Sequence, residues 1–270
     1  GSHFFQNYAS SHGGAIYHEG ADVDDVLTIV NTVFEENGTS DVLSFGGAVS
    51  AVGVMDVYVA NSDFLGNGAS TRGGGLSVES GDSLVIDSSR FQNNGALQYE
   101  VEDEKKGDKG GLVTLLFAEG EGGGVYADVE QLEVMGNVFC SNVGDAGGGV
   151  FSDDVPSASF TNNVFVENMA VHYGGGVNTT VERAGGTAPA LINNTFLGNS
   201  AGKLPSGSTV YYGGGASVAL DGTLGDIRNN VFAWSTNGGA IFGNDGVNYT
   251  IGDPIAFEYN LYYQNCDQLG

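Results

Sequence analysis

The chain is built from short runs in which apolar and polar residues alternate. Ser83–Ser88 and Gln131–Gly136 are two examples, and neither continues with the 3.6-residue period of an amphipathic helix. Gly and Asn interrupt the chain every few residues, and both disfavour the interior of a helix. Alternation with a period of two is typical of β-strands that bury one face. The pattern therefore predicts an all-β protein made of many short strands.

A Phe-x-x-Asn motif recurs along the whole chain. The interval between successive copies is 26 to 36 residues, apart from one interval of 48. A degenerate copy at Phe232 has Ser235 in place of Asn, and another copy begins with Tyr262. A repeat of this length is a unit that buries its apolar face only by stacking on its neighbours. The seven full copies begin at Phe4, Phe34, Phe64, Phe91, Phe139, Phe165 and Phe196.

A second marker alternates with the first and consists of two or three glycines followed by a small or aliphatic residue, as in Gly46–Val49. Two markers in phase predict a parallel β-helix, or β-solenoid, of about nine coils with three short strands in each. Each strand would pair with its counterpart in the next coil at a spacing of about 4.8 Å. We expect the motif Phe to form an inward ladder. We expect the motif Asn to sit at a turn, where it bonds the coils above and below and tolerates a left-handed backbone.

Insertions interrupt the repeat, and in a solenoid they fall on loops between strands. The longest covers residues 97–121 and carries the charged run Glu100–Lys106, while a shorter one runs from Ala201 to Tyr212. We expect residues 1–270 to form a single β-helix domain. The opening Gly1–His3 resembles the remnant of a cleaved tag and Phe4 resumes a repeat in mid-motif, so we interpret the chain as a piece of a longer protein.

Composition and charge narrow the classes of partner. Gly accounts for 46 of 270 residues and Pro for only 4, which fits tight turns and not collagen or a Pro-rich linker. The formal net charge is −25. Such a surface repels nucleic acid and anionic membranes, and it either attracts cations such as Ca²⁺ or simply keeps the protein dissolved. No apolar run approaches the roughly 20 residues that span a bilayer, so we expect no direct membrane insertion of this fragment.

The two markers resemble the repeats of chlamydial polymorphic outer-membrane proteins. Gly13–Ile16, Gly46–Val49 and Gly238–Ile241 match Gly-Gly-Ala-[Ile/Leu/Val] fully, and the Phe-x-x-Asn copies match the second motif of that family. The resemblance covers nearly the whole chain. It implies a right-handed parallel β-helix of the pectin-lyase-like architecture, extracellular or at the cell surface, with a role in adhesion. The Glu/Lys insertion and the very acidic surface are not features of that family.

Two functions stay open on the sequence. The first is an adhesion or structural interaction module that binds a surface glycan or a protein of a host or neighbouring cell. The alternative is a pectin-lyase-like polysaccharide lyase, epimerase or hydrolase, which a groove of stacked carboxylates with a basic residue would favour. The chain has only 8 basic residues, and the adjacent acids Asp153 and Asp154 would point to opposite faces of a strand. We favour the interaction module, assign no catalytic residue and expect no required cofactor.

The residues directly before the glycine markers supply a candidate ligand site. Stacking places the His-Tyr pair of one coil beside the Tyr-Tyr pair of the next, with two carboxylates on the coils before them. Aromatic faces beside carboxylates can hold a sugar or a peptide, whereas the alternative is an ordinary aromatic stack that covers a turn. The predicted ligand-binding residues are His172, Tyr173, Tyr211, Tyr212, Glu121 and Asp145.

Acidic residues also recur three positions after the glycine markers. Asp128 and Asp153 occupy this position on neighbouring coils. Carboxylates stacked about 5 Å apart repel each other unless a cation lies between them. The sequence therefore predicts a Ca²⁺ site at Asp128 and Asp153, with a solvated column of acids as the alternative.

Overall fold

The computed structural model describes residues 1–20, 24–96, 99–100, 116–117, 120–180, 187, 189–201, 216–218, 226–235, 240–243 and 256–263. Within these ranges the chain forms 32 β-strands and no α-helix. Accordingly, none of the described segments is a helix long and apolar enough to cross a membrane. The prediction of an all-β protein is confirmed.

The strands are short because a turn or a glycine ends each side of a coil after a few residues. The first sixteen in chain order are β1 (His3–Phe5), β2 (Tyr8–Ala9), β3 (Ile16–Glu19), β4 (Val26–Val30), β5 (Val33–Glu35), β6 (Gly38–Thr39), β7 (Val49–Val52), β8 (Asp56–Ala60), β9 (Asp63–Leu65), β10 (Gly68–Ala69), β11 (Leu76–Asp87), β12 (Arg90–Gln92), β13 (Gly95–Ala96), β14 (Tyr99–Glu100), β15 (Leu116–Phe117) and β16 (Val125–Met135). The others are β17 (Val138–Cys140), β18 (Val143–Ala146), β19 (Val150–Ser152), β20 (Ser157–Thr161), β21 (Val164–Val166), β22 (Met169–Tyr173), β23 (Val177–Thr179), β24 (Ala190–Ile192), β25 (Thr195–Leu197), β26 (Ser200–Ala201), β27 (Ala216–Val218), β28 (Asp226–Arg228), β29 (Val231–Ala233), β30 (Ile241–Gly243), β31 (Ala256–Glu258) and β32 (Leu261–Tyr263).

Three parallel sheets run along the stack, because each strand pairs with the equivalent strand of the next coil. Sheet A contains the nine strands of the aromatic motif in the order β1-β5-β9-β12-β17-β21-β25-β29-β32. Sheet B contains seven strands in the order β2-β6-β10-β13-β18-β22-β26. Sheet C contains fourteen strands, including those that begin directly after the glycine markers. The predicted β-solenoid is therefore confirmed.

The coil differs from the prediction in two details. Sheet C bends, so most coils contribute two strands to it and have four strands in place of the predicted three, whereas β11 and β16 continue through the bend. The described stack also closes about six turns and not the predicted nine, although nine strands continue the stack on sheet A. The bend could not be read from the alternation of apolar and polar residues, since both arms of sheet C alternate in the same way.

The inward face of sheet A is a continuous aromatic stack. The rings of Phe64 and Phe91 lie with centroids 4.5 Å apart and an interplanar angle of 7°, and those of Phe165 and Phe196 lie 4.8 Å apart at 4°. The motif rings from Phe34 to Phe232 are fully buried in the core. The predicted Phe ladder is thus present, and it fixes the register of successive coils through offset stacking.

Buried asparagine ladders join the coils. The side-chain amide of Asn67 donates to Asn94 Oδ1 at 2.9 Å and to the Phe34 carbonyl at 3.0 Å, while Asn67 Oδ1 accepts the backbone N–H of Asn37 at 2.9 Å. Every buried polar atom of this turn is therefore paired. A second ladder runs through Asn137, Asn163, Asn194, Asn230 and Asn260.

The left-handed backbone lies one residue earlier than predicted. Glu36, Asn93 and Glu167 have φ values of 53°, 55° and 52°, and each directly precedes a ladder asparagine. The left-handed residue makes the turn, and this leaves the following Asn free to direct its amide between the coils.

The long insertion leaves the stack as an antiparallel pair of strands. Tyr99 lies opposite Phe117 and Glu100 opposite Leu116 in β14 and β15. The asparagine ladder continues past the insertion, since Asn94 Nδ2 donates to Asn142 Oδ1 at 3.0 Å. The insertion therefore does not interrupt the stacking of the coils on either side of it.

Candidate functional site

The residues before the glycine markers form one column, which we call the corner column, between sheets B and C. In the six markers whose first glycine the structure describes, that glycine turns the chain with a φ of 55° to 67°. Backbone bridges join each member of the column to the next through five coils, and the pairing of β18 with β22 adds the sixth. The members are His12, Phe45, Arg72, Glu121, Ala146 and Tyr173.

Arg72 is the centre of an ion-pair cluster in this column. Its Nε donates to Glu121 Oε2 at 3.2 Å, and its Nη1 lies 3.4 Å from Glu79 Oε2. The guanidinium also lies over two rings, 4.6 Å from the centroid of Tyr126 and 5.5 Å from that of Phe45. Cation–π contact and two carboxylates together hold this half-buried side chain in one position. The sequence analysis did not identify Arg72 as a site residue. The aromatic Phe45 at the equivalent position on the preceding coil could have indicated a cation–π contact with Arg72.

The charge of Arg72 is fixed by its surroundings. Burial by itself would lower the pKa of the guanidinium, but the nearby acidic groups outweigh burial and raise the pKa above its ordinary value. A lyase base must release its proton, and Arg72 is held in the charged form. An arginine among stacked carboxylates is thus present, but it is arranged as a paired cation. The groups that raise the pKa are Tyr126, Glu121, Glu79 and Asp153.

Tyr126 belongs to a small core beneath the corner column. Only 1% of it is exposed, and it packs with Ala146, Phe151 and Tyr173. Its hydroxyl donates to Asp153 Oδ2 at 2.6 Å. Burial raises the pKa of Tyr126 well above its ordinary value, and the hydrogen bond to Asp153 and the charge of Asp153 raise it further. The phenol therefore stays neutral and supports the column from below.

The structure brings together three of the predicted ligand residues. Nδ1 of His172 donates to Asp145 Oδ1 at 2.8 Å, and the rings of His172 and Tyr173 lie 6.1 Å apart. The His172 side chain is 35% exposed. Glu121 lies on the coil before Asp145, where its carboxylate binds Arg72. The other two predicted residues, Tyr211 and Tyr212, lie outside the described residues.

Asp128 lies within β16, and Asp153 directly follows β19, the strand that pairs with β16. Ala127 lies opposite Ser152 where β16 pairs with β19, and the backbone N–H of Asp153 donates to the Ala127 carbonyl at 2.8 Å. Both carboxylate oxygens of Asp153 accept hydroxyl groups, one from Tyr126 and the other from Thr180 at 3.2 Å. Over the described ranges, no three His, Cys, Asp or Glu side chains cluster closely enough to hold a metal ion. The Ca²⁺ site stays a prediction.

Comparison with known proteins gives one family match. Residues 1–19 match the family model of the Chlamydia polymorphic membrane protein (Chlamydia_PMP) repeat. No curated protein and no solved structure matches the chain. The matched segment contains one copy of each marker, Phe4–Asn7 and Gly13–Ile16. The chain is thus similar over its first repeat unit to the Chlamydia polymorphic membrane protein repeat, and its later coils carry the same two markers in a β-solenoid.

Proposed function

We propose that this chain is a surface-displayed interaction module that binds a glycan or protein partner through the corner column and the His172–Asp145 pair beside it. The repeats and the β-helix are those of a surface-protein-like repeat protein. The matched family is associated with the outer membrane and the cell surface. A stiff solenoid suits display, because each coil contacts its neighbours along the whole stack and side chains on the outside can vary without changing the core.

The observation that carries this proposal is the His172–Asp145 pair beside Tyr173. The 2.8 Å hydrogen bond to Asp145 orients the imidazole, and Tyr173 packs on the buried layer that contains Tyr126. A ligand would therefore meet a polar ring and an aromatic ring that are already held in place, which lowers the entropy lost on binding. Aromatic side chains anchored in this way are typical of binding hot spots.

The enzymatic alternative has weaker support among the described residues. Arg72 is the basic residue that lies among stacked carboxylates, and its guanidinium is paired with Glu79 and Glu121. Its pKa is raised, so it does not supply a base. The arrangement supports a fixed surface and not proton abstraction.

Screening the wild type and a double variant against a glycan array and a panel of cell-surface proteins tests the proposal. Replacing His172 and Tyr173 with Ala should remove the signal of any partner that the wild type binds. Tyr58→Ala is the matched control, because Tyr58 is an exposed tyrosine on sheet C, whereas His172 and Tyr173 lie on sheet B. If the double variant melts early, His172→Ala alone provides the test, since that side chain is partly exposed. Equal signals from wild type and variants would contradict the proposal.

A further inference from the structure

A cavity of about 540 Å³ lies against sheet B in the first three coils. None of its lining residues belongs to the corner column. Its volume falls within the range of roughly 300–1,000 Å³ that is typical of small-molecule sites. The side chains around it are aromatic, aliphatic, hydroxyl and carboxylate groups, and the lining includes no Lys or Arg. Its chief side chains are Tyr8, Glu36, Thr39, Asp41, Val42 and Ser70.

The floor of this cavity is backbone. Three successive strands of sheet B have glycine at the same position, and the pairs Gly38–Gly68 and Gly68–Gly95 are in register. The same position on the next three strands carries side chains, so the sheet does not exclude them there. Those residues are Val143, Met169 and Ser200.

The fold does not require glycine at two of these positions. A Cβ on Gly68 would meet no atom nearer than the Gly95 carbonyl oxygen at 4.0 Å, and a Cβ on Gly95 none nearer than the Val143 carbonyl oxygen at 3.9 Å. Neither glycine has a left-handed backbone. Glycine within a strand loses more conformational freedom on folding than alanine does and so destabilises the strand. A glycine in a strand often marks a bulge, a bend or a site where a ligand or another backbone approaches closely, and Gly68 and Gly95 pair in regular register without a bulge.

Tyr8 closes one end of the floor. It is 71% exposed, and a Cβ on Gly38 would lie 3.1 Å from its ring carbon Cε1. The ring therefore lies against the glycine backbone and presents its other surface to the cavity. Gly38, unlike Gly68, makes room for a side chain of the protein itself.

The walls supply fixed polar groups. Glu36 is oriented by Gln6, whose Nε2 donates to Glu36 Oε2 at 2.8 Å. The hydroxyl of Thr39 donates to Ser44 at 2.7 Å, and Ser44 lies 2.8 Å from the Ser70 hydroxyl. These hydrogen bonds hold the wall opposite Glu36 in one arrangement. Carboxylate and hydroxyl oxygens accept hydrogen bonds from the hydroxyl groups of a ligand, and the two carboxylates repel phosphates and uronates.

We propose that this cavity binds a neutral pyranose ring of a glycan chain. The C–H face of the sugar would lie on Tyr8 and the glycine floor, while its hydroxyl groups donate to Glu36 and Asp41. By strand spacing, Gly38 and Gly68 in the cavity lining are about 5 Å apart, and the row of glycines continues about 5 Å beyond the lining to Gly95, which allows the sugar chain to continue past one ring. This site does not depend on the corner column.

Isothermal titration and saturation-transfer NMR with cellotetraose and chitotetraose test this proposal, with trigalacturonate as the charged counterpart. Gly68→Val fills the floor with the side chain that Val143 carries at the same position one coil beyond Gly95. Ser200→Val makes a comparable change outside the cavity and serves as the control. We expect the wild type and Ser200→Val to bind a neutral tetrasaccharide and Gly68→Val to bind at least about tenfold more weakly. All three proteins should melt at similar temperatures.

Three results would overturn the sugar assignment. The first is a wild type that binds neither neutral tetrasaccharide. The second is binding that Gly68→Val leaves unchanged, and the third is trigalacturonate binding as strong as that of the neutral sugars. The same proteins are also tested for binding to a library of extended peptides. Peptide binding that Gly68→Val abolishes, without sugar binding, would assign the floor to a peptide strand and contradict the proposal.

Discussion

At the residue scale, Tyr126 connects the guanidinium of Arg72 to the carboxylate of Asp153. The guanidinium lies 4.6 Å from the phenol ring, and the phenol donates to Asp153. Removing the hydroxyl by Tyr126→Phe keeps the ring under Arg72 but leaves Asp153 without one donor. The loss of one buried hydrogen bond costs roughly 1–3 kcal/mol when the acceptor stays unsatisfied.

The raised pKa of Tyr126 predicts how stability depends on alkaline pH. The folded pKa lies above the unfolded value of 10.0, so the folded state keeps a proton that the unfolded state releases. This contribution is complete below pH 10 and is lost as the pH rises above it. Urea unfolding from about pH 8 to about pH 11.5 should therefore show a steeper loss of stability for the wild type than for Tyr126→Phe. Parallel profiles would contradict the assignment.

The predicted Ca²⁺ site also belongs to this scale. If a cation binds at Asp128 and Asp153, Ca²⁺ should raise the melting temperature of the wild type above that in Na⁺ at the same ionic strength. Asp153→Asn should abolish the difference. Thr180→Val, which leaves both carboxylates in place but removes a hydroxyl donor to Asp153 and the acceptor of the Asp154 N–H, is the control. No heat of binding and no shift in melting temperature with Ca²⁺ would reject the site.

At the element scale, the ladders explain why the sequence predicts the fold so well. Equivalents of Phe64 and Asn67 occupy the same roles on most coils of sheet A, so a motif repeated in the sequence indicates a repeated contact. The corner turn can also be predicted from the sequence, because the first glycine of each described marker adopts a left-handed backbone that favours glycine.

Other features could not be read from the sequence because they occur once. Arg72 binds Glu121 across 49 residues, and the insertion between them hides that they lie on neighbouring coils. The sequence does not distinguish the glycines of sheet B from those at turns, and only the open space around Gly68 shows that the backbone does not need glycine there. The repeated motifs therefore predict the scaffold, whereas contacts that occur only once, such as those of a site, are seen only in the three-dimensional structure.

The asparagine ladder gives a prediction about the stability of the fold. Asn142→Ala removes the acceptor for the backbone and side-chain donors of Asn94 and the donor to the Phe91 carbonyl. Each orphaned buried group costs roughly 1–3 kcal/mol, so the free energy of unfolding should fall by several kcal/mol. Asn93→Gly is the control, because Asn93 is an exposed neighbour whose φ of 55° suits glycine. Similar denaturant midpoints for both variants would contradict a stabilising ladder.

At the scale of the whole molecule, scaffold and site are separable. Most of the described polar side chains in the core bond along the stack, whereas His172 and Tyr8 lie on outer surfaces of it. In a solenoid each coil interacts with its nearest neighbours, so a change on one surface does not spread through the core. The net charge of −25 adds a further constraint, since it favours partners that are neutral or basic at the contact.

The most direct test of the claim that the corner column binds the partner is an equilibrium titration against the best target from the screen. It compares the wild type, the His172→Ala/Tyr173→Ala variant and Tyr58→Ala at one ionic strength. We predict that the double variant binds about tenfold more weakly or worse, and that Tyr58→Ala binds as the wild type does. A double variant that keeps the wild-type fold and the wild-type dissociation constant would contradict the claim.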